Sequence, residues 1–211
     1  CTVDRANASA GELASLMMGR ELAPSHYEKK ENPERQVVVL EHVDYNKTAK
    51  HSGLSDVSLT IGAGEILGIA GVDGNGQSQL AQLITGVITP DAGRVDLKNS
   101  KVAKFMPQAF IEEGVSHIPE DRNKMGLVGD MSVKEDILLK STGLPRFSRF
   151  GGMFLKKKAM KDYALEMQEK YDIRCASIEQ EARSLSGANQ QKIILARELG
   201  ARPDILIAVH P

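Results

Sequence analysis

The run Gly71-Val72-Asp73-Gly74-Asn75-Gly76-Gln77-Ser78 fits the phosphate-cradling spacing G-x-x-x-x-G-K-[ST] at every defined position except the lysine, where Gln77 stands. Such a loop needs glycines because its backbone N–H groups must turn inward around a phosphate. The helix that follows adds the positive end of its dipole. Those parts are present. Gln77 can donate a hydrogen bond to a phosphate but cannot neutralise it. A hydrogen bond to a charged group contributes about 1.5–3 kcal/mol, so losing its charged character weakens binding roughly tenfold or more. Gly71, Asp73, Gly74, Asn75, Gly76, Gln77, Ser78 and Gln79 are the candidate nucleotide-binding residues, and Ser78 carries the one hydroxyl suited to magnesium. The bland alternative is a glycine-rich turn that holds no ligand. A dinucleotide fingerprint is excluded, since the loop contains no G-x-G-x-x-G.

A second constellation is Leu185-Ser186-Gly187-Ala188-Asn189-Gln190-Gln191, placed directly before an apolar helical stretch that runs to Glu198-Leu199-Gly200. A serine at a helix start offers its hydroxyl and the adjacent N–H groups to an anion, or it simply caps the helix. A third candidate is the charged turn Glu120-Asp121-Arg122 after Ile118-Pro119.

These pieces together resemble the ATP-binding cassette family. Leu185 to Gln191 resembles the L-S-G-G-N-Q-Q signature variant of the second cassette in double-cassette sugar and nucleoside importers, with Ala188 replacing one glycine. The strand and loop Gly64 to Ser78, the Ile118 to Arg122 turn and Ala196-Arg197-Glu198-Leu199 carry the same resemblance, which covers about residues 36 to 211. Residues 1 to 30 resemble the tail of a preceding first cassette. The resemblance implies that Ser186, Gly187, Ala188, Asn189 and Gln190 act in trans, on ATP and Mg2+ held by the other cassette. It also implies that Glu120, Asp121 and Arg122 form the permease-facing loop, with Glu120 at the position of a phosphate-sensing glutamine. A carboxylate there repels phosphate, so docking or orienting a helix is the expected role, against a plain solvated turn. Along Pro203 to Pro211 the resemblance puts Val209 at the magnesium-ordering position and His210 at that of the catalytic base. With neither lysine nor acidic metal ligand, the electrostatic clamp for phosphoryl transfer is missing. No intact catalytic residue is therefore expected.

The implied function is the degenerate second ATP-binding half of an ATP-driven sugar or nucleoside importer, inactive alone. Its full-length protein would be an ABC-type ATPase peripheral to the cytoplasmic face of the cell membrane. The partners implied are the first cassette, permease subunits and, indirectly, a solute-binding protein; no nucleic acid is expected. The alternatives are a nucleotide-free docking module on the permease and a self-sufficient P-loop ATPase or kinase.

The elements that must position these residues follow from periodicity. Val37 to Leu40, then Val57, Leu59 and Ile61, predict strands, with Val95 and Leu97 alternating after the Pro90-Asp91-Ala92-Gly93 turn. Glu65 to Ala70 is apolar on both faces after its first residue, which predicts a central parallel strand. Leu80, Leu83 and Ile84 then mark a helix that Gly86 can end. Ser132-Val133-Lys134-Glu135 is a capping box opening a helix through Ile137 to Leu139. Met160, Tyr163, Ala164, Met167 and Tyr171 share a face of the next helix, for which Lys156 to Lys158 reads as a solvated start. Ile193, Ile194, Ala196, Arg197 and Leu199 lie on the helix after Ser186, and Ser9 to Met17 forms a short one near the beginning.

The fold class is therefore α/β: a P-loop cassette with an antiparallel β subdomain and a helical subdomain. The division is 1–35 as cassette tail and linker, 36–130 with 184–211 as core, and 131–183 as the helical part. The chain ends in the apolar run Ile205 to Val209, and it is expected to be C-terminally truncated.

Composition agrees with a folded domain. The 211 residues hold 27 Lys+Arg against 28 Asp+Glu, a net charge of −1, so a general nucleic-acid binder with a basic footprint is excluded. With 41% hydrophobic and 26% charged residues, wholesale disorder is excluded too. No apolar run reaches the roughly 20 residues that span a bilayer. Cys1 and Cys175 stand far apart, which fits a reducing compartment and argues against zinc.

Overall fold

The computed structural model describes residues 35–46, 53–72, 74–150 and 152–209. The helix expected over Ser9 to Met17 and residues 1–34 of the tail and linker lie outside the described residues, as do Asp73 and His210. Strands β1 (Gln36–Tyr45), β2 (Leu54–Gly62), β3 (Ala92–Leu97) and β4 (Ser100–Lys101) form an antiparallel sheet in the order β2-β1-β3-β4. Val38 pairs with Ile61 on one side and Leu97 on the other, and Leu40 pairs with Leu59 and Val95. The alternation read in the sequence thus puts Val38, Leu40, Val95 and Leu97 inside.

Helix α1 (Gln77–Ile84) follows the glycine loop and buries Leu80, Leu83 and Ile84 against this sheet, together with Phe110 of α2 (Pro107–Glu112). Gly86 ends α1 at φ 73°, and a Cβ there would strike the Phe110 ring, so the glycine serves both the turn and the close approach. Strands β5 (Val115–Ile118) and β8 (Ile205–Ala208) run parallel in a separate pair, and Val115 and Ile205 join the same core.

A second core belongs to the helical elements. Helix α3 (Val133–Leu138) opens on the expected capping box, in which Ser132 Oγ accepts from the Glu135 N–H and the Glu135 carboxylate accepts from the Ser132 N–H. Helices α4 (Lys157–Lys170) and α5 (Gly187–Gly200) pack with α3 around Ile137, Phe147, Met160, Tyr163, Met167 and Ile193. Each such side chain, fully buried, contributes about 1.5–3 kcal/mol. Between α3 and α4 a short hairpin, β6 (Ser148–Arg149) with β7 (Phe154–Leu155), projects from this layer; the sequence reading missed it.

The central strand expected at Glu65 to Ala70 is corrected. Residues 65–72 form no strand, and Ile66 and Val72 are 77% and 75% exposed. A strand apolar on both faces needs packed layers over both of them, and Ile66, Leu67 and Ile69 are exposed instead. Among the described residues β5 and β8 form a two-stranded sheet, and neither outer edge pairs with residues 65–72.

Candidate nucleotide loop and signature helix

The glycine loop is shaped by its own backbone. Gly76 sits at φ 97° immediately before α1, and a Cβ there would lie 2.9 Å from the Gly53 carbonyl oxygen. The left-handed conformation and the close approach both require glycine. Helix α1 has no side-chain cap and no acidic residue in its first turn, so its first N–H groups remain open to an anion. Asn75 N–H reaches the Val72 carbonyl at 3.3 Å, and Ser78 and Gln79 are half-buried at the helix start. Gly71 and Gly74 are exposed in the same loop.

Gln77 does not reach outward. Its Nε2 donates to the Val72 carbonyl at 3.1 Å and lies over Gly71, where a Cβ would collide with it. The amide therefore latches the loop from inside, in the place from which a lysine would meet phosphate charge. The donor set fits a phosphate. Among the described residues no group of three or more His, Cys, Asp or Glu could hold a metal ion, and Ser78 offers a hydroxyl at the helix start.

The second helix start is open as well. Ser186 precedes α5 in extended conformation and is exposed, yet its hydroxyl does not cap the helix. It accepts instead from Asn189 Nδ2 at 3.0 Å, while Asn189 Oδ1 accepts from the Arg174 N–H at 2.9 Å. Asn189 thus orients the serine and ties it to the end of the helical layer. Gln190 is buried, donating to the Ala182 carbonyl and accepting from Arg122 Nε at 3.4 Å. Gly187 leaves room for Arg122, whose Nη2 would lie 2.7 Å from a Cβ there, and Ala188 is exposed. A groove of about 620 Å³ beside Ser186 and Asn189 is lined also by Gln168, Arg174 and Cys175.

The charged turn is more ordered than the sequence suggested. Asp121 accepts from the N–H groups of Asn123 and Lys124 and so starts a π-helical turn, Arg122–Gly126. The Lys124 N–H bond holds the Asp121 carboxyl below the usual range. Glu120 is exposed beside it.

Sequence reasoning missed the charged groups beneath this turn. Arg197 Nη2 donates to the Gly126 carbonyl at 2.7 Å and Nε donates to Glu198 at 2.8 Å, while Lys140 meets the other Glu198 oxygen at 2.6 Å. Glu198 also accepts from the His117 N–H at 3.1 Å. Burial pushes the Glu198 carboxyl up, but Lys140 and Arg197 outweigh it and hold it below its ordinary value. Burial, with Lys140 nearby, pushes the His117 imidazole down. Burial pushes Asp136 up. The available signal was Arg197-Glu198 interrupting the apolar face of Ile193, Ile194 and Ala196.

At the end of β8, Val209 is half-buried and its N–H donates to the Ile118 carbonyl at 2.9 Å. Tyr45 is half-buried opposite Leu54 at the end of β1.

A sheet-and-helix core with a glycine loop at one helix start, joined to a helical layer that presents a second, define a cassette-type ATP-binding domain. The chain belongs to the ABC transporter family, whose model matches residues 54–209. It is 40% identical to the guanosine import ATP-binding protein NupO of Bacillus subtilis, over 100% of this chain and 41% of that protein. It is also 40% identical to the nucleoside import ATP-binding protein NupA of Lactococcus lactis, again over 100% of this chain and 41% of the relative. The chain therefore spans about two fifths of the length of these curated relatives. Among solved structures, a nucleotide-free ATP-binding cassette from an ABC transporter matches with a TM-score of 0.62 and 22% identity, covering 82% of this chain and 68% of that one.

Proposed function

We propose that this chain is the nucleotide-binding half of an ATP-driven importer of nucleosides or sugars, with a degenerate phosphate loop of its own. Its Ser186 helix start serves ATP and Mg2+ bound by a partner cassette. The observation that carries this reading is the side chain at each of two uncapped helix starts. Gln77 is folded back onto Val72 inside its own loop, whereas Ser186 and the α5 N-terminus face outward with no cap. An ATP bound at α1 gains N–H groups and the helix dipole but no cation from Gln77, and binds weakly. Val209 supplies no carboxylate to order a metal, and no step of hydrolysis is assigned to His210. Curated relatives named for guanosine, nucleoside and glucose import support the solute class.

In this reading residues 36–130 and 184–211 are the ATP-binding core, 131–183 the helical subdomain, and 1–35 the tail of the first cassette. Glu120, Asp121 and Arg122 face the permease, and a solute-binding protein delivers cargo from the other side. The protein is peripheral to the cytoplasmic face of the membrane; no described helix is long and apolar enough to cross one.

The test is a nucleotide count in the assembled transporter. Hydrolysis arrested with a phosphate analogue should occlude one nucleotide per pair of cassettes. Two equally occluded nucleotides overturn the degenerate assignment, and none at either cassette favours the docking-module reading.

A further inference from the structure

The β6–β7 hairpin carries the most exposed apolar surface outside residues 65–72. Phe150 is 80% exposed, Met153 74% and Phe154 60%, with Leu144 and Leu155 exposed beside them. Phe150 and Phe154 stack edge to face, ring centroids 6.2 Å apart, so the tip presents a paired aromatic surface rather than scattered side chains. Phe150 holds this position at φ 51°, a conformation in which glycine or asparagine is less strained. The base of the hairpin is fixed. Phe147 is buried against Tyr163, Ser148 Oγ donates to the Leu144 carbonyl, and Lys156 bonds the carbonyls of Phe147 and Pro145. A rigid stem thus holds an apolar tip away from the helical core.

The charge around that tip identifies its occupant. Between Asp136 and Asp162 the sequence contains no Asp or Glu, yet Arg146, Arg149, Lys156, Lys157, Lys158 and Lys161 crowd into the stem and the following helix start. The whole chain has a net charge of −1, so the cluster is local. Lys157 and Lys158 occupy the first turn of α4, where cations oppose the helix dipole and add nothing to helix stability. Both are exposed, as is Arg149. Arg146 is engaged by Glu166 and by the Phe147 and Tyr163 rings, and Lys156 by the Pro145 carbonyl, which leaves exposed Arg149, Lys157 and Lys158 beside the aromatic tip. Aromatic side chains flanked by exposed cations match an anionic bilayer surface: the rings enter the headgroup boundary and the cations meet lipid phosphates. Phe, Met and Arg suit a protein interface as well, but lysine is depleted at the core of one, so the adjacent Lys157 and Lys158 are what favour lipid over a protein partner.

We infer that the 144–158 hairpin is a membrane foot, which seats the helical subdomain on anionic lipid headgroups with Phe150, Met153 and Phe154 in the interface. None of these residues belongs to the glycine loop or to the Ser186 helix start.

The test is flotation of the chain with vesicles of phosphatidylcholine alone and of phosphatidylcholine mixed equally with phosphatidylglycerol. Binding is expected on the anionic vesicles and should weaken as salt rises. Lys157→Glu with Lys158→Glu should weaken binding about tenfold or more, from reversing two interfacial charges. That pair keeps the test usable if tip variants misfold, because acidic residues suit a helix start. Phe150→Ser with Phe154→Ser should produce a comparable loss at an unchanged melting midpoint. Equal binding to neutral vesicles, unaltered flotation of the lysine pair, or no flotation at all overturns the proposal. If flotation is absent and the same variants lose co-purification with a membrane subunit, the surface serves a protein instead.

Discussion

Arg197, on the third turn of α5, donates to the carbonyl oxygen of Gly126 at 2.7 Å, while Arg122 of the same π turn reaches Gln190 near the start of that helix. The turn after Asp121 is thereby bound to α5 at two places. Arg197 also faces Glu198 and lies 3.8 Å from Asp136, both fully buried carboxylates. Replacing it leaves Asp136 without its neighbouring cation and Glu198 with Lys140 alone in low dielectric, whereas deleting an exposed ion pair would cost little.

Arg197→Met should therefore destabilise the chain by about 3–5 kcal/mol. At about 2–4 °C per kcal/mol for a domain of this size, the melting midpoint should fall by roughly 6–20 °C. Arg197→Lys keeps the charge but cannot hold Glu198 and Gly126 together, and should fall between. Thermal denaturation followed by circular dichroism decides, and a midpoint unchanged in Arg197→Met refutes the role assigned to the network.

Gln77→Lys should tighten ATP binding by roughly tenfold, since a cation replaces an amide that bonds Val72 in an otherwise complete glycine loop. It should not produce turnover in the chain alone, because Val209 still offers no carboxylate. Calorimetric titration and a phosphate-release assay on the pure chain measure the two halves. An unchanged affinity means that the loop is closed to nucleotide.

His117 gives a pH dependence with a fixed sign. Its folded pKa lies below the ordinary 6.5 because burial and Lys140 disfavour the imidazolium, with Glu198 opposing. Between that folded value and about 6.5 the unfolded chain binds more protons, so stability is present above pH 6.5 and is lost as pH falls through this window. His117→Gln should flatten the change in melting midpoint between about pH 7 and pH 5 relative to the parent. Equal slopes in both proteins would assign the acid sensitivity to other groups, of which Glu198 is the nearest.

The sequence exposed the local elements more clearly than the assembly. Ser132 and Glu135 made their capping box because both bonds close within one turn, and Val38, Leu40, Val95 and Leu97 faced inward because alternation alone decides their side of the sheet. Glu65 to Ala70 behaved differently: apolarity on both faces states that a strand needs cover above and below, not that the cover is present. Ser186 was legible as a residue at a helix start, but not its hydroxyl's choice of Asn189, which depends on the Arg174 N–H from another segment. The cluster of Lys140, Arg197, Glu198 and His117 joins residues far apart in sequence, and only Arg197-Glu198 hinted at it. The hairpin tip was hidden for the opposite reason, since Phe150 and Phe154 look like core until their exposure is seen.

The two helix starts can be told apart in the assembled transporter. If the α5 start closes over ATP held by the partner cassette, Ser186→Arg should abolish most hydrolysis and transport, because a long cation fills the space where a small hydroxyl must approach phosphate. Arg122 already stands beside Gly187, so the new guanidinium also meets a like charge. Loss of the fold does not explain such a result: Ser186 makes no capping hydrogen bond, and even a full N-cap contributes only about 1 kcal/mol. Gln77→Ala removes only the bond to Val72 and no catalytic charge, and should leave most turnover intact. Both variants are compared in the same complex at equal cassette content, by phosphate release and by uptake into reconstituted vesicles. Normal turnover in Ser186→Arg together with its loss in Gln77→Ala would reverse the assignment, making the loop of this chain the working phosphate site and its signature helix the silent one.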